Sequence, residues 1–286
     1  MPSVRDIKRR MKSVESIQQI TKAMKMVAAS KLRRTQTAVI RSRPYTEKLQ
    51  EILHKIVASA GEITHPLLVE RPVKAVGIIL ITADKGLAGG YNARVQKLAL
   101  EEATRFAEQE IEVDFIAVGN KGHDFLKRRE QKIKTDIVGL NDVPTFSEAQ
   151  RLSKLIVDSF LAGEYDRVYL VYQEFVTTVQ QRPVVKQLLP LLYEKGEAEE
   201  KEYIYEPAPQ EVLSILLPQY INNTMFHILT ETKASEHGAR MTAMTSATDN
   251  AEEMIEKLNL SYNRSRQAAI TREISEIVGG ADALEA

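Results

Sequence analysis

Apolar residues at the start of the chain fall at Val4, Ile7, Met11, Val14, Ile17, Ile20, Met24 and Val27. The steps are three or four residues, the period of a single helical stripe. The stripe thins after Leu32 through Arg33, Arg34, Arg41 and Arg43, then returns at Leu49, Ile52, Leu53 and Ile56. Gly61 and Pro66 read as its end. The last segment is more regular. Met241, Met244, Thr248, Ala251, Ile255, Leu258, Tyr262, Ser265 and Ala269 keep the same alternation, and the register then slips to Ile270, Ile274, Ile277, Ala281 and Leu284. Between Ser3 and Ala60 there is one proline, Pro44, and no glycine; between Glu211 and Val278 there are only Pro218 and Gly238. At 1.5 Å per residue, helices of this length reach roughly 85 and 100 Å, too long for one compact core to cover. They must pair with each other or lie inside a partner. A buried seam at Ile255 predicts a cost of about 2–5 kcal/mol for Ile255→Ala. The final turns from Ile277 are apolar or small on nearly every side, which predicts that something encloses them.

The middle alternates differently. The run 75–82 is continuously apolar, as in a strand buried on both faces. A helix over about 92–109, a strand at 113–118, a short helix near 122–129, a weak strand at 133–138, a helix at 147–162 and a strand at 168–175 follow, with 183–189 as an antiparallel edge. Alternating strand and helix predict a three-layer sheet with right-handed crossovers. The acidic stretch 194–211, with Pro207 and Pro209, reads as the connector into the last helix. The division is therefore an N-terminal helix over 1–60, a Rossmann-like α/β domain over 70–195 and a C-terminal helix over 209–286. The fold class is α/β, with the terminal helices forming a long antiparallel coiled coil.

Charge and composition narrow the chemistry. The formal net charge is zero, but residues 1–50 carry 13 Lys/Arg against 3 Asp/Glu, and residues 231–286 carry 6 against 10. A basic and an acidic helix attract when paired, and the positive surplus faces outward toward acidic loops, phosphates or an anionic surface. There is no cysteine, and the five histidines show no ligand spacing, so disulfides, thiolate catalysis and a metal site are not indicated. No apolar run approaches the length of a membrane span. The basic N-terminus continues its apolar period into the helix, so it reads as mature protein and not as a transit peptide.

Thr82-Ala-Asp-Lys-Gly-Leu-Ala-Gly-Gly-Tyr-Asn92 is a glycine-rich strand–helix loop of the kind that can cradle phosphate. Its spacing matches neither dinucleotide nor P-loop fingerprints, which favours a structural turn with docking duties. Asp84 and Lys85 read as a solvated ion pair and not as a catalytic one. Lys22, Lys25, Lys31, Arg33 and Arg34 form a basic strip without interleaved aromatics, which argues against nucleic acid. No serine elbow is present.

Three stretches carry a resemblance: Ile20-Thr-Lys-Ala-Met-Lys-Met-Val-Ala-Ala-Ser-Lys31, the loop Asp84–Gly90, and Ser235 through Asn250 with Tyr262 through Ala281. In order and over the whole length, the chain resembles the gamma subunits of F-type ATP synthases, of bacterial type because the plastid cysteine insertion is absent. The resemblance implies a non-catalytic rotor shaft inside a ring of alpha and beta subunits, with its α/β domain at the base beside epsilon and the membrane c-ring. The shaft couples proton flow to ATP synthesis or hydrolysis. It implies a peripheral position on the cytoplasmic face of the plasma membrane, with no cofactor, no membrane span of its own and no nucleic acid. By motif position it implies ring contacts at Met24, Lys25, Arg240, Arg266, Gln267, Thr271 and Glu273, and a c-ring or epsilon foot at Tyr203, Tyr205 and Glu206. The competing reading from the loop is a nucleotide-binding α/β protein with coiled-coil adaptor arms.

Overall fold

A computed structural model of the chain describes residues 3–59, 65–192 and 208–285. Helix α1 runs Val4–Ser59 and helix α5 Pro209–Glu285. The Ser3 hydroxyl accepts from the Asp6 backbone N–H at 3.1 Å and so opens α1. Pro209, whose missing N–H costs nothing in a first turn, opens α5. Between them lie β1 (Ala75–Ile81), α2 (Tyr91–Ala107), β2 (Glu112–Val118), α3 (Asn120–Arg128), β3 (Ile133–Ile137), α4 (Phe146–Leu161), β4 (Arg167–Phe175) and β5 (Gln181–Leu189). The strands form one sheet in the order β3-β2-β1-β4-β5. All neighbours are parallel except β5, which returns antiparallel along β4 as the edge.

The chain divides into two compact units, Ala28–Arg240 and a second made of Met1–Val27 with Met241–Ala286. In the first, alternation along β1 splits its side chains between two cores. Val76, Ile78 and Leu80 meet Val95, Ala99, Ala103 and Phe106 of α2. Ile79 and Ile81 meet Leu152, Ile156 and Phe160 of α4. The same second core contains Leu49, Leu53 and Ile56 of α1 and Leu213, Leu217, Ile221, Met225 and Ile228 of α5. The two long helices thus complete one layer of the sheet. The period of the sequence shows that these positions are apolar, but not that they cover a sheet.

In the second unit the seam on α5 follows the expected positions. After Thr248, every described position that is not exposed, from Ala251 through Ile255, Leu258, Tyr262 and Ser265 to Ala269, belongs to the predicted stripe. Ile255 is only half-buried, so Ile255→Ala should cost less than a full core truncation, nearer about 1–2 kcal/mol.

Helix α1 departs from its expected stripe. Val4, Ile7, Met11 and Val14 are covered, but Ile17, Ile20 and Val27 are 50, 59 and 54% exposed. The inward row continues instead through Gln18, Thr21 and Lys25. The physical reason is the alternation of threes and fours: after the step of three from Met11 to Val14, a heptad seam steps four to Gln18, whereas the apolar run steps three to Ile17. Thr21 then lies in the seam, and Thr248 donates to its hydroxyl at 2.9 Å. The apolar row Ile17, Ile20 and Val27 faces outward. So do Ile270, Ile274, Ile277 and Val278, at 47, 56, 72 and 53% exposure.

One turn depends on a glycine. Gly119, between β2 and α3, sits at φ +95°, and a Cβ there would lie 2.3 Å from the Thr82 carbonyl oxygen. Gly163 also has positive φ, at +77°, but has open space around it. Gly119→Ala should therefore destabilise by clearly more than Gly163→Ala, which carries only the backbone cost of about 1 kcal/mol. Paired urea unfolding curves check this; equal midpoints would contradict it.

Candidate functional site

The loop after β1 lies where open α/β sheets bind ligands, outside the carboxyl ends of the strands where β2 and β4 diverge from β1. Several of its acceptor groups are committed to α3. Asp84 accepts the Asn120 N–H at 3.0 Å, the Ala83 carbonyl accepts from Lys121 N, and the Thr82 hydroxyl accepts from Gly122 N at 2.7 Å. These are the first three N–H groups of α3, which would otherwise attract an anion. Asp84 is thus a cap on α3 and not one half of a catalytic pair. The Asn92 carboxamide oxygen accepts from Ala83 N at 2.9 Å, folding the loop back on itself.

Helix α5 fills the crevice. Ala83, Ala88 and Tyr91 pack with Ala239 in a small buried cluster. The Tyr91 hydroxyl donates to the Thr232 carbonyl at 3.2 Å, and Gln173 on β4 donates to the Tyr91 carbonyl at 2.9 Å. Gly238 lets the helix approach the β4–β5 turn: a Cβ there would lie 3.1 Å from the Thr178 carbonyl oxygen. The loop docks a helix, the structural role its irregular glycine spacing favoured.

A buried charge cluster locks the same stretch. Glu236 bonds Lys233 at 3.1 Å and Arg240 at 2.8 Å, and Arg240 also donates to the Lys85 and Gly86 carbonyls at 3.4 Å. His237, fully buried, has Nε2 3.3 Å from the Asp142 carbonyl oxygen, and the Asp142 carboxylate meets Lys31 at 2.6 Å. Burial pushes the Glu236 carboxyl up, but Lys233 and Arg240 outweigh it and hold the group below the usual carboxylate range. Burial holds His237 below the ordinary imidazole value, against the pull of Glu236 and Asp142. Burial also raises the Asp142 carboxyl, and Lys31 more than reverses this.

Of the positions singled out from the sequence, Met24 and Lys25 are half-buried on α1, and the Arg240 side chain is only 14% exposed, engaged with the loop. Arg266, Gln267, Thr271 and Glu273 are all exposed on α5. Arg266 and Glu273 are one heptad apart and share a face; Gln267 and Thr271 lie four apart on the adjacent row. Tyr203, Tyr205 and Glu206 lie outside the described residues. Sequence reading missed Lys233, Glu236, His237 and Asp142. The i,i+3 and i,i+4 spacing of Lys233, Glu236 and Arg240 was a usable signal; the approach of Asp142 across 95 residues of chain was not.

A five-stranded sheet with a closed ligand crevice, carrying two terminal helices of 56 and 77 residues, defines a class of mixed α/β protein built around a helix pair. The family model described as ATP synthase matches residues 3–284. The chain is 50% identical over 285 residues to the ATP synthase gamma chain of Desulfitobacterium hafniense, covering all of both chains. It is 50% identical over 287 residues to that of Pelotomaculum thermopropionicum, again covering all of both. The chain belongs to the ATP synthase gamma chain family. Its fold is similar to a chain of the Euglena gracilis mitochondrial ATP synthase OSCP/F1/c-ring assembly, with a TM-score of 0.66, 18% identity, and coverage of 98% of this chain and 94% of that one.

Acid should weaken the clasp in two stages. His237 is disfavoured as a cation when folded, so the unfolded chain takes up protons first, and stability falls as pH drops below the free imidazole value of 6.5. His65, also held low by burial, acts in the same direction. Glu236 contributes fully above its free value of 4.5, and that contribution is lost as pH falls through its lower folded value. Calorimetry from pH 7.5 down to about 2 should show both declines, and His237→Gln should shrink the upper one. Arg240→Met, which strips one of two cations from a buried carboxylate, should cost about 3 kcal/mol at neutral pH.

Proposed function

We infer that this chain is the central rotor shaft of an F-type ATP synthase, coupling proton flow through a c-ring to ATP synthesis and hydrolysis in a ring of alpha and beta subunits. The observation that carries this reading is full-length identity of 50% to ATP synthase gamma chains. The outward apolar rows Ile17, Ile20, Val27 and Ile270, Ile274, Ile277, Val278 support it, because nothing among the described residues covers them. They fit a surrounding sleeve of protein. The described residues contain no helix long and apolar enough to cross a membrane, which suits a shaft that meets the membrane through other subunits.

In this reading residues 1–60 and 209–286 form the coiled-coil shaft, and residues 70–195 form the α/β body. Met24, Lys25, Arg266, Gln267, Thr271 and Glu273 contact the catalytic ring, with Arg240 at the junction of loop and helix. Tyr203, Tyr205 and Glu206 belong to the foot on the c-ring and epsilon subunit. The chain lies peripherally on the cytoplasmic face of a bacterial plasma membrane. The shaft breaks no covalent bond. It acts as a moving effector: at each angle it contacts the three catalytic subunits differently, and only such differential contacts can shift their nucleotide affinities. The packing of α5 against the glycine loop favours the shaft reading over the nucleotide-binding alternative.

The test is assembly with its alpha and beta subunits. ATP hydrolysis should turn a probe attached to the α/β body; an active complex with a stationary probe overturns the reading. Ile274→Asp with Ile277→Asp should leave unfolding of the isolated chain within about 0.5 kcal/mol, since both are exposed. The same pair should weaken co-sedimentation with the hexamer at least about tenfold, because two charges would enter an apolar sleeve.

A further inference from the structure

In the larger unit, α1 and α5 are held to the sheet chiefly by apolar contacts among residues such as Leu53, Leu217, Ile79 and Ile156. Such contacts are strong but non-directional, and they tolerate small rotations of one element over another. A fixed angle between helix and sheet requires directional bonds. Asp142, on the loop between β3 and α4, makes them to both long helices at once. Its carboxylate oxygen Oδ2 meets Lys31 Nζ of α1 at 2.6 Å. Its carbonyl oxygen lies 3.3 Å from His237 Nε2 of α5, and Oδ1 lies 3.8 Å from the same nitrogen.

The position matters as much as the bonds. Lys31 is three residues inside the Ala28 limit of the unit, and His237 three residues inside the Arg240 limit. Both helices are therefore tied close to where they leave this unit. The loop bearing Asp142 is itself braced. Glu148, in the first turn of α4, accepts from Asn141 N and Asn141 Nδ2, both at 3.1 Å, and from Thr145 N at 2.7 Å. The Thr145 hydroxyl accepts in return from Glu148 N, a complete capping box. Asp142 is thus held between two residues fastened to one carboxylate.

We propose that Asp142 is a torsional latch: through Lys31 and His237 it fixes the angular register of the sheet against both shaft helices, so that twist passes between them without slack. Glu148 is the positioning residue that keeps the latch loop in place. The proposal rests on the rotor reading, because slack matters only in a part that transmits torque.

The experiment uses the complex assembled with alpha and beta subunits, immobilised by the ring and stalled with a non-hydrolysable nucleotide. The thermal angular spread of a nanorod on the α/β body reports torsional stiffness. Asp142→Asn, nearly isosteric but uncharged, should widen the variance roughly twofold, the scale set by loss of a half-exposed ion pair. Asp142→Glu should return it toward wild type, and Glu148→Gln should widen it. The Asp142 side chain is 51% exposed, so the melting temperature of the isolated Asp142 variants should stay near that of wild type. Equal spread for wild type and Asp142→Asn, in a complex that rotates normally with ATP, would overturn the latch alone. A wild-type complex that hydrolyses ATP without turning the rod would overturn the rotor reading and the latch together.

Discussion

Burial of α5 residues 213–240 against the sheet is the interaction on which the rest of the larger unit depends. Leu213, Leu217, Ile221, Met225 and Ile228 supply part of one core face, and the following two turns of residues lie across the rim where the strands end. A helix in that place closes the ligand crevice and satisfies the Tyr91 hydroxyl. It also brings Glu236 and His237 into a dry environment where each needs a partner. Remove the helix, and the sheet has an open face, an open rim and no means of turning with a shaft.

The glycine loop shows how one constraint reassigns a motif. Between a buried strand and a helix, Gly86, Gly89 and Gly90 look like a phosphate cradle. Here the donors at the start of α3 are taken by Thr82, Ala83 and Asp84, and the Lys85 and Gly86 carbonyls accept from Arg240. Leu87 at φ +60° and 64% exposure is the visible cost of that conformation. A doubly wound sheet thereby becomes a clamp for a helix. The fold alone would not have said which, since the same topology serves both ends.

The buried charges follow from the same placement. Lys233, Glu236 and Arg240 form a cation–anion–cation set on one helical face, and Asp142 with Lys31 adds a second pair at its edge. Such a network contributes little over an apolar core in free energy, but it restricts geometry, because its members cannot slide without losing their partners. That restriction suits a part whose task is to keep two elements at a fixed angle.

Much of this was legible in the sequence. Every strand and helix between 75 and 189 lies within two residues of its predicted bounds, because turn residues and a change of period mark those edges. The seam from Ala251 to Ala269 was legible for the same reason, and the loop's departure from known fingerprints already disfavoured a nucleotide. The register of α1 was not. Ile17 and Gln18 differ by one step, and apolarity pointed to the residue that faces outward, because the heptad seam steps four where the apolar run steps three. Periodicity and composition, both local properties, determined the elements and their order, and the terminal motifs with the glycine loop carried the resemblance to the family. Only tertiary structure decided that α1 and α5 complete the sheet, that α5 fills the crevice and that Asp142 reaches His237, because these are contacts between residues far apart in the chain, and no local pattern encodes which distant surfaces will meet.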